Sequence, residues 1–535
     1  MTAIFQTVLL MLAVLAAVAV AAKRLHVAPS ILLVVAGIGM ALLPGLPNIQ
    51  LAPELVLLVI LPPLIYSAGV AMSWREFRFN LRPIALLAFG CVVFTTCAVA
   101  AAAHYLLGFE WAVGFLLGAI IAPPDVVAPL AIARRLGLPR RLVVILEGEG
   151  LANDATALIL YRFAVVAVST GTFSFGEASG TFALIVVGEI FYGIGVGWLS
   201  LRLRKWAREP RVEVTLSLMT PYLAYWIPEH LHGSGVLATV ACGLYVSWNG
   251  PRLIPSATRL QGIFFWDLII YLIEGLVFLL TGLQARTLIE QTQAFSLREL
   301  LVATAWTALI VIVARFVWIF PAAYLPNWLI PAIRKRDPAP PWQAPFFLSF
   351  TGIRGVVSLA AALAIPYVTA SGAPFPHRDM ILFIVFGVII ITLVGQGLML
   401  PSVVRALGLC SLGQREHADE LVRELDARQA ALNEVTQRLE KAIADHELPD
   451  AVADHLRTRN RGRLQVLPHN LTEDLVLIRQ TAALKRELIE AERDYIYQLL
   501  RDGKITDEAR RRIEYELDLE EASLANRGKD GGGWM

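Results

Sequence analysis

Between Leu146 and Thr156 the chain reads Leu-Glu-Gly-Glu-Gly-Leu-Ala-Asn-Asp-Ala-Thr, three carboxylates and an amide inside an otherwise apolar stretch. Leu142 to Ile145 precede it, and Phe163 to Val168 follow. A charge inside a bilayer is expensive, so such residues usually mark an ion pathway. Asp154 lies 11 residues beyond Val143, near half the depth of a membrane at about 1.5 Å per helical residue. A second carboxylate, Asp125, follows Ala122-Pro123-Pro124. Two adjacent prolines remove two N–H donors and free nearby carbonyls. Freed carbonyls and one or two carboxylates form a hard-oxygen cation site at Asp154 and Asp125. Such a carboxylate holds a proton or a cation, not both, and that competition is sufficient for exchange. Asn153 can orient the carboxylate and a backbone group without adding charge, or can simply bond a neighbouring helix.

The other charges in apolar surroundings invite pairing. Arg354 sits in Thr351-Gly352-Ile353-Arg354-Gly355, and Glu149 precedes Asn153 by four residues, on the same helix face. A Glu149–Arg354 ion pair is the structural expectation. Glu147, seven residues before Asp154, lines an inner entrance or caps its helix. Glu274 and Arg315 read as a mutual or neighbouring ion pair, whereas Arg162 and Glu189 receive no role. No P-loop spacing, HExxH motif or clustered Cys/His site is present, so neither an ATP-coupled machine nor a metalloenzyme is indicated. Cys91, Cys97, Cys242 and Cys410 lack metal-ligand spacing and read as buried small hydrophobes.

The elements that position these residues are apolar helices. With 56% hydrophobic and 17% charged residues and mean hydropathy +0.61, the chain reads as a polytopic all-α membrane protein. Thirteen apolar runs approach the length needed for a core of about 30 Å: roughly 3–22, 29–45, 51–70, 83–105, 111–132, 143–168, 180–201, 212–230, 234–248, 264–284, 299–321, 345–367 and 379–405. Basic residues crowd alternate loops, such as Arg134-Arg135 with Arg140-Arg141, Arg202 to Arg211, and Arg334 to Arg336. The opposite loops hold only Arg286, Arg298 and Arg378. That asymmetry predicts a multi-pass protein of the cell membrane with its N-terminus outside and its C-terminus in the cytoplasm. Lys23 and Arg24 follow the first run, which reads as a retained span.

Spans 5 and 12 are interrupted, at Pro123-Pro124 and at Gly352 to Gly355. They lie seven spans apart and so run in opposite directions, as expected of two broken helices crossing between inverted repeats. Residues 1–410 carry a net charge of +8 and residues 411–535 one of −6. The expected domains are therefore a transmembrane exchanger domain, 1–410, and a helical cytoplasmic regulatory or assembly domain, 411–535. In the latter, Leu421, Leu425 and Leu432, then Leu488, Tyr495 and Leu499, recur among charges, with breaks at Pro449 and Pro468.

Gly148-Glu149-Gly150-Leu151-Ala152-Asn153-Asp154-Ala155 resembles the G-E-S-x-x-N-D-A signature of the electroneutral NhaP- and NHE-like sodium/proton antiporters. Pro124-Asp125-Val126-Val127-Ala128 and Gly352-Ile353-Arg354-Gly355-Val356-Val357-Ser358 are similar to two further motifs of that family. Leu61-Pro62-Pro63-Leu64-Ile65 and Gly235 to Gly243 are similar as well. The resemblance covers most of 1–410. It implies thirteen helices, a homodimer, elevator-like movement and one-for-one exchange of Na⁺, K⁺ or Li⁺ for H⁺. It also implies Asp154 and Asp125 as ion ligands, Asn153 beside them, and Glu149–Arg354 as structural. The chain departs from the pattern at Gly150, where the family often has Ser, at Pro124, where it has Thr, and near Tyr66-Ser67, where some members have an acidic residue. Ser67 is thus a possible pathway residue, and K⁺ stays open beside Na⁺.

The expectation is a secondary antiporter embedded in lipid, with no enzymatic activity, no cofactor beyond the transported ions and no nucleic-acid partner. A K⁺-selective antiporter, a cation channel gated by the tail and a non-transporting scaffold are the alternatives.

Overall fold

Within a bilayer every backbone N–H and C=O must be satisfied internally, so long apolar runs can only become helices or barrel strands. Strict period-2 alternation is missing here, and helix results. The computed structural model describes residues 2–43, 51–171, 175–231, 233–292, 295–337, 339–369, 372–445, 449–465, 471–502 and 504–530. Among these, regular structure is helical, apart from one isolated bridge between Val368 and Pro374.

Seven helical stretches among the described residues are long and apolar enough to cross a membrane: Phe5–Leu25, Leu81–Leu107, Arg140–Thr170, Gly180–Ala207, Ser256–Gln291, Leu297–Leu329 and Arg378–Ala406. Shorter apolar helices cover Pro29–Ala41, Leu55–Ala71 and Trp111–Ile121. Three π-helical turns, Leu55–Ile60, Leu86–Cys91 and Ile391–Gln396, interrupt the α geometry. Such turns leave backbone groups for other partners. Leu86 O, for example, accepts from Trp318 Nε1 at 2.9 Å.

The chain divides into two compact units, one of Met1–Leu136 with Arg140–Leu409, the other of Gly137–Pro139 with Cys410–Met535. In the second unit, Arg457 bonds Glu440 (2.7 and 2.9 Å) and Asn460 bonds Thr436 (2.6 Å), pairing the helices Leu409–Ala444 and Asp450–Gln465. Ile489 and Leu517 form a small buried cluster between Leu471–Arg501 and Asp507–Asp530. Pro449 directly precedes a helix, whereas Pro468 lies outside the described residues.

One cysteine expectation is corrected. Cys91 and Cys242 are buried, but Cys97 is exposed and Cys410 only partly covered. Cys97 lies on an exposed face of the apolar, membrane-length helix Leu81–Leu107.

Helices in lipid gain little from the hydrophobic effect and associate through close packing of small residues. The helix Pro29–Ala41 meets Ser256–Gln291 in this way. A Cβ on Gly282 would stand 2.8 Å from Ile38 N and 2.9 Å from Gly37 Cα. Gly282→Val is therefore expected to lower stability by about 1–3 kcal/mol, read as an earlier thermal transition of the detergent-solubilised protein. An unchanged transition would contradict this packing.

Candidate functional site

The Asp154 helix, Arg140–Thr170, passes two places where the chain stops being helical. The first lies between Trp111–Ile121 and Val127–Leu136, where Pro123 and Pro124 cannot donate. The second lies between Gln343–Phe350 and Val356–Leu363. The two breaks bond each other, for Asp125 N donates to Ile353 O at 2.7 Å. Asp125 Oδ1 accepts from Val127 N at 2.8 Å, capping the helix that follows. Gly355 lies so close that a Cβ there would strike the Asp125 carboxylate, so only glycine lets the second break approach the first.

Asn153 joins the Asp154 helix to this crossing. Its Nδ2 donates to Pro124 O at 2.7 Å, a carbonyl exposed by the proline break, while its buried Oδ1 has no partner among the described residues. The Asp154 and Asp125 carboxylates are near enough for their charges to interact, and Glu274 is within electrostatic reach of Asp125. Two carboxylates, an unpaired amide oxygen and unwound backbone therefore converge on one place. Among the described residues no cluster of three or more His, Cys, Asp and Glu side chains could enclose a metal ion.

The structure corrects the expected ion pair. Glu149 is paired with Arg315, not Arg354. Arg315 Nη1 and Nη2 donate to the two Glu149 oxygens at 2.5 and 2.8 Å, with side-chain exposures of 1% and 0%. The planar guanidinium matches the carboxylate with two parallel bonds, and its third nitrogen, Nε, donates to Leu348 O at 2.9 Å. Arg315 therefore does not pair with Glu274 either. Arg354 lies near this neutral pair, but its buried Nε and Nη1 have no hydrogen-bond partner among the described residues. Its backbone N–H donates to Thr392 Oγ1 at 3.0 Å.

The remaining candidates stand apart. Glu147 bonds Arg134 at 2.7 Å, with 14% of its side chain exposed. Ser67 Oγ returns to Leu64 O, one turn back in its own helix, at 3.1 Å. Arg162, given no role from sequence, bonds both Glu229 and Gly233 O.

Breaking a buried pair strands a charge, at a cost of about 3–5 kcal/mol. Glu149→Ala and Arg315→Ala should each destabilise by that order, and the double variant by much less than the sum. Pairing Glu149→Ala with Arg354→Ala should show weaker coupling. Thermal unfolding of the six proteins, parent included, checks this, and stronger coupling to Arg354 would restore the pairing expected from sequence.

Residues 10–406 match the family described as sodium/hydrogen exchanger, transmembrane. An uncharacterized Na⁺/H⁺ exchanger of Mycobacterium tuberculosis is 34% identical over 507 residues, covering 87% of this chain and 92% of that one. A sodium, potassium, lithium and rubidium/H⁺ antiporter of Bacillus pumilus is 30% identical, covering 94% of this chain and 75% of its own. In fold the chain is similar to the sodium proton antiporter of Methanocaldococcus jannaschii, with a TM-score of 0.62 at 17% identity over 77% of this chain and 98% of that one. The crossing of two unwound segments beside an Asn-Asp pair thus stands in a chain that belongs to the sodium/hydrogen exchanger family.

Proposed function

We propose that this protein exchanges monovalent cations for protons across the cell membrane, with Asp154 as the shared carrier and Asp125 completing the site. The single observation that carries the reading is the bond from Asn153 to Pro124 O, which draws Asp154 and its unpaired amide neighbour to the unwound chain holding Asp125. A proton or a cation neutralises the same carboxylate, so the two compete, and alternating access turns competition into coupled, electrically silent exchange. Asn153 Oδ1 and the carbonyls of the breaks offer a partly dehydrated cation the oxygens it prefers. Thirteen spans with inverted repeats, the N-terminus outside, a cytoplasmic C-terminal domain and a homodimer complete the proposal.

Na⁺ is the first substrate proposed and K⁺ the second. K⁺ is favoured by Gly150, which brings no hydroxyl to the site and where even a Cβ would press on Val126. A tail-gated channel would instead pass current without moving protons.

Proteoliposomes carrying a trapped pH dye test the reading, with Na⁺, K⁺ and Li⁺ added in turn. The parent should move protons against at least one cation. Asp154→Asn should abolish that flux while inserting and folding normally. Parent-like flux from Asp154→Asn would remove the central claim.

A further inference from the structure

The bonds made by the Asp154 helix differ in kind along its length. At the Arg140 end they hold it to neighbouring segments: Arg140 to Glu76 (2.6 and 3.0 Å), Arg141 to Asp337 (2.7 Å), Glu147 to Arg134 and Glu149 to Arg315. The helix packs chiefly on Trp111–Ile121 and on the turn Leu86–Cys91. Beyond Asp154 the situation reverses. Arg162 reaches to the Glu229 helix, Pro210–His230, donating from Nη2 to Glu229 and from Nη1 to Gly233 O. That helix packs with Phe175–Ala207 and Val236–Leu253, which pair closely with each other and only thinly with the Asp154 helix.

The receiving end is built to stay in place. Gly233 N donates to Pro228 O at 2.8 Å. Glu189, 4% exposed, accepts from Ser234 N (2.5 Å), Ser234 Oγ (3.2 Å) and Gly235 N (3.2 Å), fixing the start of the helix Val236–Leu253. Arg162 thus bonds the Asp154 helix to this second group of helices through two acceptors, Glu229 and Gly233 O. From Ala155 to Ile159 every residue is buried, as are Leu142 to Leu146, while Leu160 to Phe163 around Arg162 are partly exposed.

We propose that Arg162 is a positioning residue for exchange: it latches the half of the Asp154 helix beyond the ion site to Glu229 and Gly233, closing that side of the site. Opening the site toward that side requires the latch to part, and each exchange cycle makes and breaks it. The proposal rests on the exchange reading above and adds to it where the moving boundary lies. A bond present in one state and absent in the other sets their populations. Removing it favours the state open on the Arg162 side and leaves the ion ligands intact. A purely structural bond would be needed equally in both states.

The test reads access, not transport. The four cysteines are replaced, and a single reporter, Leu158→Cys, is placed one turn beyond Asp154, at a position now buried. A membrane-impermeant maleimide is then applied to sealed vesicles from the Arg162 side. Arg162→Gln and Glu229→Gln should each label about tenfold faster than the parent, with Arg162→Lys between, since lysine can meet Glu229 but not Gly233 O as well. Labelling at the parent rate in both Gln variants overturns the proposal. Should either variant fold poorly, Arg162→Cys with Glu229→Cys, joined by a cleavable bifunctional thiol reagent, gives the second arm. Exchange should stop on joining and return on cleavage, and exchange that continues while joined overturns the latch. Loss of exchange by the parent itself would instead refute the functional reading and leave the labelling result standing.

Discussion

Glu149 and Arg315 are the constraint on which the rest of the site depends. Neither charge could stay in the interior alone, and together they form a two-bond neutral pair with essentially no exposure. Because Arg315 also bonds Leu348 O, the pair ties the Asp154 helix to the end of the helix preceding the second break. Four residues beyond Glu149, Asn153 bonds Pro124 O at the first break, and Asp125 N closes the path to Ile353 O. The result is a closed circuit from Glu149 through Arg315, Leu348, Ile353, Asp125, Pro124 and Asn153 back to the same helix. Every link is a hydrogen bond or a few residues of backbone, so none of the four elements, the Asp154 helix, the Arg315 helix and the two broken segments, can shift alone.

The circuit separates two tasks within one short stretch of helix. Glu149 spends its charge on a fixed partner and takes no further cation. Asp154, five residues on, has no protein cation holding it among the described residues, so its charge remains available to a mobile one. A site that must release its ligand on either side of a membrane needs this division between a rigid frame and one negotiable charge. The latch at Arg162 extends the same logic: bonds at one end hold the frame together, and the bonds of Arg162 to Glu229 and Gly233 O join the other end to its surroundings.

The ingredients of the site were legible in the sequence because they violate the apolar background. Asp154, Asp125, the Pro-Pro pair and the Gly-flanked Arg354 announce themselves by their setting. The long helices were legible for the same reason, as uninterrupted apolar runs. The partner of Glu149 was not legible. Helical spacing tells which residues share a face with Glu149, but not which residue of a distant helix turns toward it, and Arg315, 166 residues later, and Arg354 both stood in apolar runs. The signal that could have favoured Arg315 was its place inside an unbroken helix, where a guanidinium is held rigidly. Arg162 and Glu229 were hidden similarly, one beyond the motif and the other ahead of a Gly-rich turn, each ordinary until the fold brings them together. Cys97 shows the converse limit, since an apolar run says that a face is shielded from water but not whether protein or lipid shields it.

The most direct test of the account is the proton count of cation binding. Purified protein in weakly buffered detergent is titrated with Na⁺, and separately with K⁺, while released protons are measured. Competition at one carboxylate predicts about half a proton released per cation bound at the pH where the site is half protonated, rising toward one at lower pH, and none from Asp154→Asn. Cation binding by the parent with no proton release at any pH would contradict it.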